Sequence, residues 1–167
     1  MPHPLVVQLR FTRSEFVRCL EGVSPEDGVI RIQPMNCINW MIGHLSSQEN
    51  WYWVRLAQGK KLAPELAELV AFGKPATTPP LADMWTVWRE ITTAADPYLD
   101  TLTTEDLTTH FEWRGQPMPE NIGTMLLRNI YHYWFHTGEA HAVRQQLGHK
   151  DLPQFVGKMD TAVYQPE

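Results

Sequence analysis

Four stretches of this chain set apolar side chains three and four positions apart, the interval that lines up one face of a helix. The first runs from Leu5 to about Gly22, with Leu5, Leu9, Phe16 and Leu20 on one side and Thr12 in mid-stripe. Gly22 and the following SPEDG stop it. The second spans Asn36 to Gln58. Asn36 is its expected N-cap and Gly59 its stop. One face collects Cys37, Trp40, Met41, His44, Gln48, Trp51 and Arg55. The third runs from Ala82 to about Leu102 on a stripe of Met84, Trp85, Trp88, Ile91 and Thr92, and Pro97 is expected to kink or interrupt it near Ala94. The fourth, Thr124 to Leu147, carries Met125, Val143 and Leu147 on the same face as His132, His136 and Glu139.

Between these stretches, 28–34 reads as an extended connector. The segment 59–81, rich in Pro, Ala and Lys, has room for a short helix at Pro64 to Ala71. Loops in simple up-down bundles run about two to eight residues. This one is long enough to cross a bundle, so the second and third helices are expected to run parallel. HFEWRGQPMP, with its Arg114-Gly115 turn signal, allows a short hairpin. After Gly148, the apolar residues Leu152, Phe155 and Val156 suggest a docked tail. The expectation is an all-α, single-domain chain over 1–167.

The chemistry sits mid-stripe. His132 and His136 lie one helical turn apart, within reach of one ion. Polar rings on a face aimed at the core need partners. Two hydrogen-bonded histidines near a surface would give the same spacing, so the pair alone does not decide. His44 adds a third imidazole on an equally aromatic face. It stands about 10 Å past the start of its helix, and His136 about 16 Å before the end of its own. If the two helices are antiparallel, the depths agree to about one turn. Three protein ligands leave coordination positions vacant, as in catalytic rather than structural zinc sites. Zn²⁺ is the default ion, with Ni²⁺, Fe²⁺, Cu²⁺ or Mn²⁺ as alternatives. Such an ion acidifies a bound water or thiol, or polarises a carbonyl.

Glu139, about 20° from the His132 direction, has three candidate roles: a fourth ligand, an acceptor for an imidazole N–H, or a catalytic base. A surface carboxylate paired with an arginine is the plain alternative. Gln48, one turn from His44, is read the same way. Arg55 and Arg128 are either anion-binding groups or solvated rim charges. Trp40 and Trp51 flank His44 and either fill core or wall a pocket. His141 points away and reads as a surface or interface residue. His3, His110 and His149 read as bystanders, and Cys37, two turns from His44, as a small buried apolar group. No glycine-rich phosphate loop or Ser-His-Asp arrangement is present.

Composition narrows the classes. A net charge of −5 and the lack of any Lys/Arg-rich run argue against nucleic acid. No apolar run approaches the roughly 18 residues of a membrane span. Two cysteines form no framework, which points to a reduced cytoplasmic setting and leaves a single disulfide open. Seven tryptophans will occupy much of the core.

NWMIGHLSSQE in the second helix and YHYWFHTGEAHAVRQQLG in the fourth resemble the DinB-like superfamily. That superfamily includes the YfiT-like metal-dependent hydrolases, the bacillithiol transferases and the mycothiol-dependent maleylpyruvate isomerases. The resemblance covers most of the chain. It implies a four-helix bundle in up-down-down-up order and a three-histidine metal site at His44, His132 and His136. It also implies a small-molecule substrate and a homodimer, for which the face carrying Leu127, Ile130 and Trp134 is one candidate surface. That face could equally pack within the chain. The implied chemistry is that of a thiol S-transferase or thiol-dependent isomerase, with a low-molecular-weight thiol as co-substrate. A hydrolase using metal-bound water, with Glu139 as base, and a non-catalytic metal-binding module are the alternatives.

Overall fold

A computed structural model describes residues 1–154 and 156–165. Its elements are helical apart from one two-stranded ribbon, so the all-α expectation holds. Helix α1 is Pro4–Cys19, α2 Pro25–Gly28 and α3 Ile38–Glu49, the last continuing through π-helical turns at Asn50–Leu56. Then follow α4 at Leu66–Val70, α5 at Leu81–Leu99, α6 at Thr104–Leu107 and α7 at Ile122–Gln146. Among the described residues, no helix is long and apolar enough to cross a membrane.

The stops follow the glycines. Gly22, Gly59 and Gly148 all take positive φ just past a helix, a left-handed conformation that strains any residue with a side chain. SPEDG does not merely stop α1. Ser24 accepts a hydrogen bond from the Asp27 N–H and starts α2. Asn36 is not the cap of α3; Cys37 holds that position without a side-chain hydrogen bond. Pro97 lies inside α5, which continues to Leu99. The hairpin is present as β1, Glu112–Trp113, and β2, Gln116–Pro117. Its two turn residues, Arg114 and Gly115, both have positive φ, matching the twist of a two-residue hairpin.

Helix α1 packs on α7 through Phe16 and Tyr133, and α3 packs against both α5 and α7. At the centre, Arg13 of α1 bonds Glu49 of α3 through Nε at 2.8 Å and reaches Asp96 of α5 through Nη1 at 2.7 Å. Glu49 also accepts from the Tyr133 hydroxyl at 2.7 Å, and that hydroxyl accepts from the Trp88 indole at 2.8 Å. Charges this deep are tolerated because each finds partners. Together they tie the four long helices at one level.

Of the three residues on the candidate dimer face, Ile130 is core, Trp134 meets Phe11, and Leu127 lines a cleft. Both cysteines are free and buried. The tail docks through polar groups and Ala162. The amides of Gly157 and Gln8 bond Glu15 and the Ala162 carbonyl, and Ala162 is 1% exposed. Val156 is exposed, and Phe155 lies outside the described residues.

Candidate metal centre

His44 projects from α3, and His132 and His136 from successive turns of α7. One ring nitrogen from each lies within 4.8 Å of the other two. The Nε2 atoms of His132 and His136 are 3.1 Å apart. The ring of His44 stands edge-on to both, with centroids at 4.8 and 5.3 Å. Trp40, one turn before His44, stacks on it at 4.4 Å.

Each imidazole is oriented from behind through Nδ1. For His44 the partner is the Val70 carbonyl at 2.8 Å, which can only accept. The Nδ1–H of His136 donates to Glu139 at 2.8 Å, and the other oxygen of that carboxylate accepts from the Asn36 backbone and side chain. Hydrogen bonds from His136 and Asn36 outweigh burial and hold the Glu139 carboxyl below its ordinary range.

For His132 the polarity is set three residues away. The Trp53 indole N–H can only donate, and it bonds Asn129 Oδ1 at 2.8 Å. The Asn129 amide N–H₂ must therefore face Gln48, whose Oε1 lies at 3.0 Å. That same oxygen is 3.0 Å from His132 Nδ1, which must carry the proton. Trp53 and Asn129 are fully buried. Neither figured in the sequence reading.

With all three Nδ1 atoms engaged from behind, the Nε2 atoms are the ones left to face one another, and their lone pairs are available to a cation between them. The residues thus fit a divalent ion with nitrogen donors and outer partners on every ring. His44 and His132 are also neutral: burial pushes His44 down to about 4, and burial with repulsion from the other imidazoles pushes His132 down to about 3. Neutral imidazole is the form that binds metal.

His44 and His132 open into a cleft of about 1150 Å³, and His136 lies behind them, 4% exposed. The α3 side of the cleft carries Gln48, Trp51 and Arg55, and the α7 side Arg128 and Tyr131. The family model for mycothiol-S-transferase matches residues 5–148. The chain belongs to the mycothiol-S-transferase family. The match spans all four long helices and each of the three histidines, in line with the DinB-like resemblance. The family's name points to a thiol-dependent transferase, and in this member the three-histidine group could hold a metal ion. No curated protein matches the chain.

The remaining sequence candidates lie elsewhere. Cys37 is buried, with its sulfur 3.6 Å from the Thr77 carbonyl, and burial pushes its thiol up. His149 is no idle loop residue: it accepts from Arg144 Nε at 3.0 Å and lies 3.3 Å from Asp27. His3 accepts from the Leu5 N–H at the start of α1. His110 bonds the Met118 carbonyl in the hairpin. His141 is half-buried on α7, beside Pro153 of the tail.

Proposed function

We propose that this protein is a divalent-metal-dependent thiol S-transferase, with His44, His132 and His136 as the metal ligands through Nε2. One observation carries the reading: three imidazoles, each with an acceptor at Nδ1, bring their other ring nitrogens together at the wall of a large cleft. Zn²⁺ suits this donor set first. A bound ion would supply Lewis acidity, favouring the thiolate of a small thiol at neutral pH.

The chain's own residues do the rest. Val70, Gln48 and Glu139 keep the lone pairs aimed, and Trp40 shields the back of His44. Glu139 takes the role of a positioning residue rather than a base, because both of its oxygens are already engaged. That removes the base the hydrolase alternative assigned.

The reading extends to a single domain over 1–167, folded as an up-down-down-up bundle. The order of contacts supports it. From just before α3 through its π turns, residues 36, 44 and 53 meet 139, 132 and 129, a descending series. Residues 39, 43 and 58 meet 79, 84 and 94, an ascending one. Residues 10, 13 and 16 of α1 meet 100, 96 and 85, descending again.

The test is adduct formation between mycothiol and a fluorogenic electrophile, with metal-loaded protein. The expected result is metal-dependent conjugation that fails in His44→Ala. Absence of any acceleration with mycothiol or other cellular thiols, at full metal occupancy, would overturn the assignment.

A further inference from the structure

The chain carries more acidic than basic residues, 19 against 14. The wall of the cleft reverses that balance. Among the described residues, Arg55, Lys60, Lys61 and Arg128 line it, and no aspartate or glutamate does. These cations are not equivalent. Arg128 is paired with Glu120 in a two-pronged contact, so its charge is largely neutralised. Lys60 donates to the neutral Gln58 side chain at 2.7 Å. Among the described residues, Arg55 and Lys61 have no carboxylate partner.

Arg55 is also held in place. Its guanidinium lies 5.3 Å from the Trp51 ring centre and 4.9 Å from that of Trp113. The two indoles meet edge to face at 4.9 Å. Such contacts steady the side chain yet leave its N–H fork without an acceptor. Arg55 is solvent-exposed, so its fork is open to a ligand entering the cleft. A steadied fork in a concave wall is what bidentate carboxylate recognition requires.

We propose that the cleft binds a small substrate bearing a carboxylate, received by the Arg55 fork with Lys60 and Lys61 nearby, its reactive end at His44 and His132. This deepens the transferase reading and rests on it for the reactive end. Arg55 lies eleven residues from His44 on one continuous helical path, on the order of 15 Å. The substrate is therefore elongated, with its acid and its reacting atom at opposite ends. The carboxylate belongs either to the thiol or to the electrophile.

Binding can be tested without metal or turnover. Metal-free protein is titrated calorimetrically with 4-phenylbutyrate and with the neutral 4-phenylbutanol. The acid should bind more tightly, and added salt should weaken it. Arg55→Gln should weaken the acid about tenfold or more, the size of a lost hydrogen bond to a charged group, and leave the alcohol unchanged. Arg55→Lys should recover part of the loss. Arg128→Gln, whose charge is already paired, should cost much less. Equal binding of acid and alcohol, or equal loss of both in Arg55→Gln, overturns the proposal.

A second arm separates the sources in the metal-loaded protein. A carboxylated electrophile and its amide are compared, and then a carboxylated thiol and its amide. The pair whose acid form loses KM rather than kcat in Arg55→Gln identifies the carrier, and no such loss in either pair counts against the proposal. Carboxylate binding without any transferase activity would leave the subsite standing while the catalytic reading fell.

Discussion

The Nε2 atoms of His132 and His136 face each other at 3.1 Å, each ring with an acceptor for its Nδ1–H on the far side. Ion binding should therefore stabilise the fold strongly, by RT ln(1 + [L]/Kd) for free metal. Removing metal with a chelator should lower the melting temperature, and restoring one equivalent should return it. In His136→Ala the chelator should have almost no effect on melting.

Gln48 reaches the histidine cluster through the His132 Nδ1–H, and Asn129 reaches it through Gln48. Outer partners of metal-bound histidines typically contribute about 10–100-fold in affinity. Gln48→Leu should fall in that range. Asn129→Leu should weaken metal binding by a smaller factor, because Gln48 is then free to rotate. Competitive titration against a chromophoric chelator measures both, and unchanged affinity in the two variants would remove the relay from the account.

A methyl group on Gly43 would lie 2.6 Å from the Met84 sulfur and 3.1 Å from the Val70 side chain. Val70 is the residue whose carbonyl orients His44. Alanine in a helix gains up to about 1 kcal/mol over glycine, and overpacking costs about 1–3 kcal/mol. Overpacking should win. Gly43→Ala is expected to lose stability in urea and to bind metal more weakly, through the displaced carbonyl.

The metal-free protein should weaken in acid. Folded His44 and His132 protonate only near about 4 and about 3, against an ordinary 6.5. As pH falls below 6.5, the unfolded chain binds protons that the folded chain does not, so stability falls with pH. The loss begins near 6.5 and ends only below the folded values, with a slope approaching two protons. Urea midpoints across this range should show it, and His44→Gln should flatten the slope by about one proton.

The four long helices and the three clustered histidines were legible because periodicity near 3.6 records which side chains share a face. What holds those rings was less so. The Val70 carbonyl belongs to a five-residue helix inside a Pro-rich crossover, and a backbone acceptor leaves no signature in side-chain pattern. Asn129 stands three residues before His132, so its face could have been read. Trp53 could not: an α-helical wheel sets it about 140° from Gln48. The π turns at Asn50–Leu56, bonded i to i+5, bring residues five apart closer to one side. Asn36 had the composition of a cap, yet the carboxylate of Glu139 drew it away.

Cobalt(II) titration of the metal-free protein, followed by visible absorption, tests the centre most directly. The account predicts one equivalent bound with a ligand-field spectrum typical of nitrogen donors, and loss of that spectrum in His44→Ala, His132→Ala and His136→Ala. Binding that survives all three substitutions, or no stoichiometric binding by the intact protein, would contradict it.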